Sequence, residues 1–355
     1  MHRWPWFAPP VALGFLVVAT LLPVRGAVGV ACALALVAAV LAAVHHAEVV
    51  AHRVGEPLGT LVLALAVTVI ESALILSLTI AGGPGKSALA RDTVYSTVMI
   101  ISNGVVGLCV LVGGLRHREQ AFRVEGAGPA FAALVALSSL VLVLPVFTTS
   151  VPGPVYSPSQ LAFAGAASLA LWGVFVFVQT VRHRDYFLPP GDASDEDTHR
   201  PPPSTAQALA SMGLLLVSLA SVVGLAKQLS PWIEAGVRAA GAPEAVIGIA
   251  IAMLVLLPET VAAVRAARVN RLQTSMNLAL GSALATIGLT VPAVVVAALA
   301  LDLPLLLGLD PKSLVLLALT FVVGTITLGT GRTSIMQGAV QLVVFAAFLF
   351  LSLVP

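Results

Sequence analysis

Apolar residues in this chain come in long runs broken by short polar or Pro/Gly-rich stretches. Eleven such runs occur, at 6–23, 27–50, 57–82, 93–115, 127–148, 160–181, 206–227, 244–264, 273–299, 313–330 and 334–353. About 20 apolar residues suffice for a helix to cross the hydrocarbon core of a bilayer. Hydrophobicity is continuous through each run, whereas the strands of a membrane barrel alternate in shorter segments. The pattern therefore predicts an all-α membrane protein of about eleven transmembrane helices.

The longest hydrophilic stretch, 182–205, holds Pro189-Pro190-Gly191, the acids Asp192, Asp195, Glu196 and Asp197, and Pro201 to Pro203. It reads as a flexible cytoplasmic linker; a regulatory cation site on its acidic group is the alternative. With residues 1–25 set aside as an extra N-terminal helix, five spans precede the linker (26–181) and five follow it (206–355). An odd number of spans per half means that the halves enter the membrane from opposite sides. Two inverted five-helix repeats are thus expected, an organisation in which secondary transporters place the ion site between the repeats.

Composition strengthens this reading. The chain is 59% hydrophobic and 10% charged, with a mean hydropathy of +1.03, where a soluble domain carries about 25% charged residues. Its outer surface must face lipid, so the bilayer is its first partner. A net charge of +2 offers no footing for a nucleic acid. Cys32 and Cys109 fall inside apolar runs and read as packing residues. The first run follows Trp4-Pro5-Trp6 and resembles a retained helix with interfacial aromatics. Nothing in the pattern sets an oligomeric state. One side of the membrane receives Arg3, Arg53, Arg116, Arg118, Arg123, Arg182, Arg184, Arg200, Arg265, Arg268, Arg271 and Arg332, twelve in all; the other receives six. The richer side is expected to be cytoplasmic. A bacterial-type inner membrane protein follows, with its N-terminus inside and its C-terminus outside.

Of sixteen acidic residues, fourteen lie in loops or near span ends. The other two are Glu71, near the middle of the third span, and Glu259, inside the eighth. Each occupies the second span of its five-span half, and inverted repeats would bring them together near the midplane. A carboxyl group at that depth costs about 3 kcal/mol on insertion scales, and is tolerated when it meets a polar cavity, a proton or a cation. Desolvation favours its protonated form, whereas a hard divalent cation such as Ca²⁺ prefers carboxylate and carbonyl oxygens. Two glutamates can thus be neutralised by one Ca²⁺ or by two protons, which is the chemistry of exchange. Thr68 lies one turn from Glu71 on the same face. Pro258 lacks the amide that would bond one turn back, so it should kink its span and free a carbonyl. Ser102 and Asn103 interrupt the fourth span, and Asn277, Ser282 and Thr286 punctuate the ninth.

These residues also carry a family resemblance. The segment Ala47-Glu48, Val54-Gly55-Glu56-Pro57-Leu58-Gly59-Thr60 and Thr68-Val69-Ile70-Glu71 resembles the first α-repeat of the calcium/proton antiporter family, part of the calcium:cation antiporter group. Pro258-Glu259-Thr260-Val261, Asn270-Arg271-Leu272-Gln273 and Ser275-Met276-Asn277 through Thr286 resemble the second. With Ile101-Ser102-Asn103-Gly104, the likeness is greatest to the bacterial ChaA-type branch. It covers about 47–114 and 245–296. It implies that Glu71 and Glu259 bind both the cation and the protons, with Thr68, Ser102, Asn103 and Ser282 near them. Many members carry Gly-Asn three to four residues before each glutamate; this chain has Val67-Thr68 and Val255-Leu256. A carboxamide oxygen is missing from each helix, so Na⁺ and K⁺ stand beside Ca²⁺ as substrates.

Other motifs add little. Gly82-Gly83-Pro84-Gly85-Lys86-Ser87 has the ending of a phosphate loop, but Ile80 stands where the pattern needs glycine and no strand precedes it. It reads as a turn. His45, His46, Glu48 and His52 cluster at one end of the second span, as interfacial residues or as a pH sensor. No pump machinery, hydrolase nucleophile or prosthetic-group motif is visible, so the expected activity is gradient-driven Ca²⁺/H⁺ antiport by alternating access. Na⁺/H⁺ or K⁺/H⁺ antiport is the nearest alternative. A cation channel and an intramembrane enzyme are the readings from other classes.

Overall fold

The computed structural model describes residues 3–55, 58–82, 87–188, 203–241, 243 and 245–354. Residues 189–202 of the linker, with its acidic group, and most of the Gly82–Ser87 turn fall outside them.

Each expected span is a helix: α1 (Trp4–Leu21), α2 (Gly26–Val54), α3 (Leu58–Gly82), α4 (Leu89–His117), α5 (Val124–Val146), α6 (Pro158–Arg182), α7 (Thr205–Ala239), α8 (Ala245–Arg268), α9 (Leu272–Leu301), α10 (Pro311–Leu328) and α11 (Ile335–Leu353). Ten are long and apolar enough to cross a membrane, and α3 carries the shorter apolar stretch Leu65–Ile80. The protein is an all-α membrane protein. Local chemistry explains several helix starts. Pro158 and Pro311 open α6 and α10, where a missing N–H costs nothing. Ser157 and Ser334 form capping boxes with Gln160 and Gln337. Asp302, in the left-handed region (φ 51°), ends α9.

One boundary departs from expectation. The seventh span was expected to end at 227, yet α7 runs on to Ala239. Thirty-five residues rise about 52 Å, well beyond a hydrocarbon core of about 30 Å. The polar break at Lys227-Gln228 therefore marks a change of surroundings rather than the end of the helix. Beyond it Ser230 Oγ donates to Glu234 Oε1 (3.0 Å) within the same helix.

The chain divides into two compact units, 1–87 with 195–247, and 88–194 with 248–355. Each draws helices from both sides of the linker. In the first unit, α2 packs against α1, α3 and α7. Small residues allow this close approach: Ala35, Ala39, Ala42 and Ala43 are buried along α2, and a side chain at Gly29 would collide with the Trp232 ring. His46 is fully buried here. Its Nε2 lies 2.9 Å from the Pro5 carbonyl and its Nδ1 3.2 Å from Ser211 Oγ, so it joins α1, α2 and α7.

In the second unit, α4 packs against α11 through glycines: a Cβ on Gly338 would strike the backbone at Gly107 and Leu111. Gly288 of α9 lies against Trp172 of α6 and Gly324 of α10 against Phe131 of α5 in the same manner. Among the described residues the only strand pairing is the antiparallel couple Gln120–Ala121 with Arg332–Thr333. Gln120 Nε2 donates from there to Ala267 O (2.9 Å) and Asn270 Oδ1 (3.0 Å), fastening the end of α8.

Candidate functional site

On α3, the burial pattern decides which way the acid faces. Leu65 and Val69 are exposed, while Glu71, at 1% exposure, sits on the opposite side with Thr68 and Ser72, which are also buried. Two residues advance a helix by about 200°, so Val69 and Glu71 point apart. The Ser72 hydroxyl has no hydrogen-bond partner among the described residues. A carboxyl and two hydroxyls thus share a buried stripe of an otherwise apolar helix. Glu71 and Thr68 belong to the first unit.

Glu259, Ser102, Asn103 and Ser282 belong to the second. Glu259 is half-buried on α8, with Oε2 closed off from solvent. Pro258 lies within α8, and its missing amide leaves the Leu254 carbonyl without an i+4 donor. The helix continues through it, and Thr260 Oγ1 turns back to the Leu256 carbonyl (2.7 Å).

Ser102 and Asn103 lie in a π-helical turn, Ile100–Val105, every residue of which is buried. A second fully buried π-helical turn, Thr286–Thr290, interrupts α9. Counting within the two five-helix halves, α4 and α9 are both third helices, so the two turns occupy matching elements. Such turns loosen the backbone ladder and gather at functional places. The Ser102 hydroxyl has no partner among the described residues. Asn103 Nδ2 donates to Thr320 Oγ1 (2.9 Å).

The α9 segment that carries Ser282 packs against the π-helical turn of α4. It is tied to α8 by Ser275, whose Oγ donates to the Ala263 carbonyl (2.7 Å). Asn277 has a different role from Ser282. Its Nδ2 donates to the Phe187 carbonyl (2.6 Å) and its Oδ1 accepts from Gln273 (2.9 Å), so its carboxamide is used in packing. Asn270, in the motif ahead of α9, takes a left-handed conformation (φ 62°) that asparagine tolerates. That turn joins α8 to α9.

Among the described residues no three His, Cys, Asp or Glu side chains cluster as metal ligands would.

The chain matches the family described as sodium/calcium exchanger protein over residues 25–181 and 210–354. It is 48% identical to y4hA of Sinorhizobium fredii, whose name proposes an ionic transporter, over 99% of this chain and 96% of that one. It is 35% identical to the sodium-potassium/proton antiporter ChaA of Escherichia coli, over 92% of this chain and 89% of that one. Its fold is similar to that of native YfkE, a protein named as a Ca²⁺/H⁺ antiporter. The TM-score is 0.74 at 16% identity, covering 99% of this chain and all of the other.

Proposed function

The chain belongs to the sodium/calcium exchanger protein family and is a secondary transporter rather than an enzyme, and from that premise we propose that it exchanges Ca²⁺ for protons, with Glu71 and Glu259 as the acids that carry both. One observation supports this above the rest. A carboxyl group that is 1% exposed sits in the Leu65–Ile80 stretch of α3, and the other acid that the sequence sets inside an apolar run, the half-buried Glu259, lies in the second helix of the second half.

In this reading each carboxylate binds either a proton or a share of the cation's charge. Loading protons releases the cation, and the reverse. Neutral oxygens of Thr68, Ser102, Asn103 and Ser282 complete the cation's shell. The π-helical turns and the carbonyl freed by Pro258 supply backbone oxygens and the looseness that alternating access needs. The repeats are residues 26–181 and 206–355, with 1–25 as an extra helix and 182–205 as a cytoplasmic linker. The arginine distribution supports an N-terminus inside and a C-terminus outside a bacterial inner membrane. Each net charge moved per cycle couples to about 2.3 kcal/mol per 100 mV, so stoichiometry sets whether the potential drives export.

A second reading puts Na⁺ or K⁺ in place of Ca²⁺. The absent carboxamides at Val67-Thr68 and Val255-Leu256 favour it, as does the 35% identity to an antiporter named for sodium and potassium. Everted vesicles with a preformed proton gradient test both. Ca²⁺, Na⁺ and K⁺ are added separately and the gradient is followed. Collapse on Ca²⁺ supports the first reading, collapse on Na⁺ or K⁺ alone supports the second, and cation flux with no proton movement would mean a channel. Glu71→Gln and Glu259→Gln should each silence the active cation.

A further inference from the structure

We propose that Thr320 is a positioning residue that holds the Asn103 carboxamide in one orientation, with its nitrogen toward α10 and its oxygen free to meet the transported cation. This rests on the reading of Asn103 as a cation ligand. Thr320 Oγ1 donates to the Leu316 carbonyl one turn back (2.8 Å), which uses the only proton the hydroxyl has. Toward Asn103 the oxygen can therefore only accept. The group facing it at 2.9 Å must be the amide nitrogen. Met99 points the same way. Its thioether lies 3.9 Å from Asn103 Nδ2 and 3.3 Å from Thr320 Oγ1, and sulfur of this kind has no proton to give.

An asparagine side chain can rotate its amide by half a turn at little cost, so one partner that only accepts decides which end faces which way. Thr320 and Asn103 are 217 positions apart and both about 1% exposed. The hydroxyl comes from the fourth helix of the second half and the carboxamide from the third helix of the first. With the nitrogen committed, the carbonyl oxygen is the end left to a cation. A hydroxyl on α10 thus sets the ligand geometry without touching the ion.

The test is Ca²⁺-driven proton movement in vesicles, with Na⁺ and K⁺ in parallel arms, for wild type, Thr320→Val, Thr320→Ala, Thr320→Ser, Asn103→Leu and the Thr320→Val/Asn103→Leu pair. Thr320→Val keeps the shape and loses the hydroxyl. It should raise the apparent KM for the cation about fivefold, the worth of one neutral hydrogen bond, and leave the maximal rate within about twofold. Thr320→Ala should shift KM likewise, and it serves as the second variant if the valine protein is poorly folded. Thr320→Ser should restore the wild-type KM. In the Asn103→Leu background, Thr320→Val should add nothing. A wild-type KM in both hydroxyl-free variants overturns the proposal, and so does an undiminished shift in the Asn103→Leu background. A wild-type KM in Asn103→Leu itself sinks the ligand reading, and with it the positioning role.

Discussion

Val69 and Glu71 stand two residues apart on α3 with opposite surroundings: Val69 is 48% exposed and Glu71 1%. One turn of an apolar helix therefore separates a surface built for lipid from a buried acid. Glu71→Gln keeps the volume and removes the titration, so the variant should fold and lose exchange. Val69→Ala should keep transport within about twofold, as substitutions away from packed features do. Proton-coupled uptake in vesicles, beside a melting curve in detergent, checks both. Robust exchange in the glutamine variant would remove Glu71 from the mechanism.

How far was this architecture legible beforehand? The eleven helices were, because an apolar run of twenty residues has few other fates in a bilayer. The buried face of Glu71 was also legible, since a lone acid in such a run must point away from lipid. Hidden were features set by a backbone choice or a distant partner. The π-helical turn at Ile100–Val105 depends on one extra residue in a ladder, and no periodicity announces it. Thr320 looks like any membrane threonine until Asn103, 217 positions earlier, is brought against it. Lys227 has the chemistry of a loop residue, but α7 continues past it to Ala239, because a helix can outrun the membrane.

Pro258 trades backbone bonding for looseness beside Glu259. Restoring the amide with Pro258→Ala should give the Leu254 carbonyl its i+4 donor and stabilise α8, by up to about 3 kcal/mol on helix scales. Transport should slow even as the melting temperature rises. If the alanine protein is more stable and equally fast, the freed carbonyl and any bend there have no part in the cycle.

Asp310 caps α10, its carboxylate accepting from the Ser313 amide (3.0 Å) and the Ser313 hydroxyl (2.7 Å). Partial burial pulls its pKa upward. The two bonds from Ser313 and the charges of Lys312 and Arg91 outweigh that and hold it below the usual carboxylate value. A carboxyl group depressed on folding stabilises the protein fully above its unfolded pKa of about 3.9. The contribution is lost as pH falls through the lower, folded value. Asp310→Ala should therefore cost about 1 kcal/mol at pH 7, and the gap from wild type should close in acid below about pH 4. Melting curves from pH 7 to pH 3 measure it; a gap constant across that range would contradict the assigned cause.

His46 is wedged where three helices of the first unit meet, its ring edge-on to Trp6 at 5.7 Å between centroids. The Pro5 carbonyl can only accept, so Nε2 carries the proton and Nδ1 of the neutral ring accepts from the Ser211 hydroxyl. His46→Ala removes both bonds and strands a buried hydroxyl, a loss of about 1–3 kcal/mol. The ring links α1 to both α2 and α7, beside a longer contact from Cys32 Sγ to the Phe15 carbonyl (3.9 Å), so the loss should appear there first. Trypsin should cut after Arg25 sooner in the variant, while exchange by the remaining ten helices stays near wild type. Unchanged proteolysis would show that apolar packing alone seats α1, and a collapse of transport would make the first helix part of the machinery.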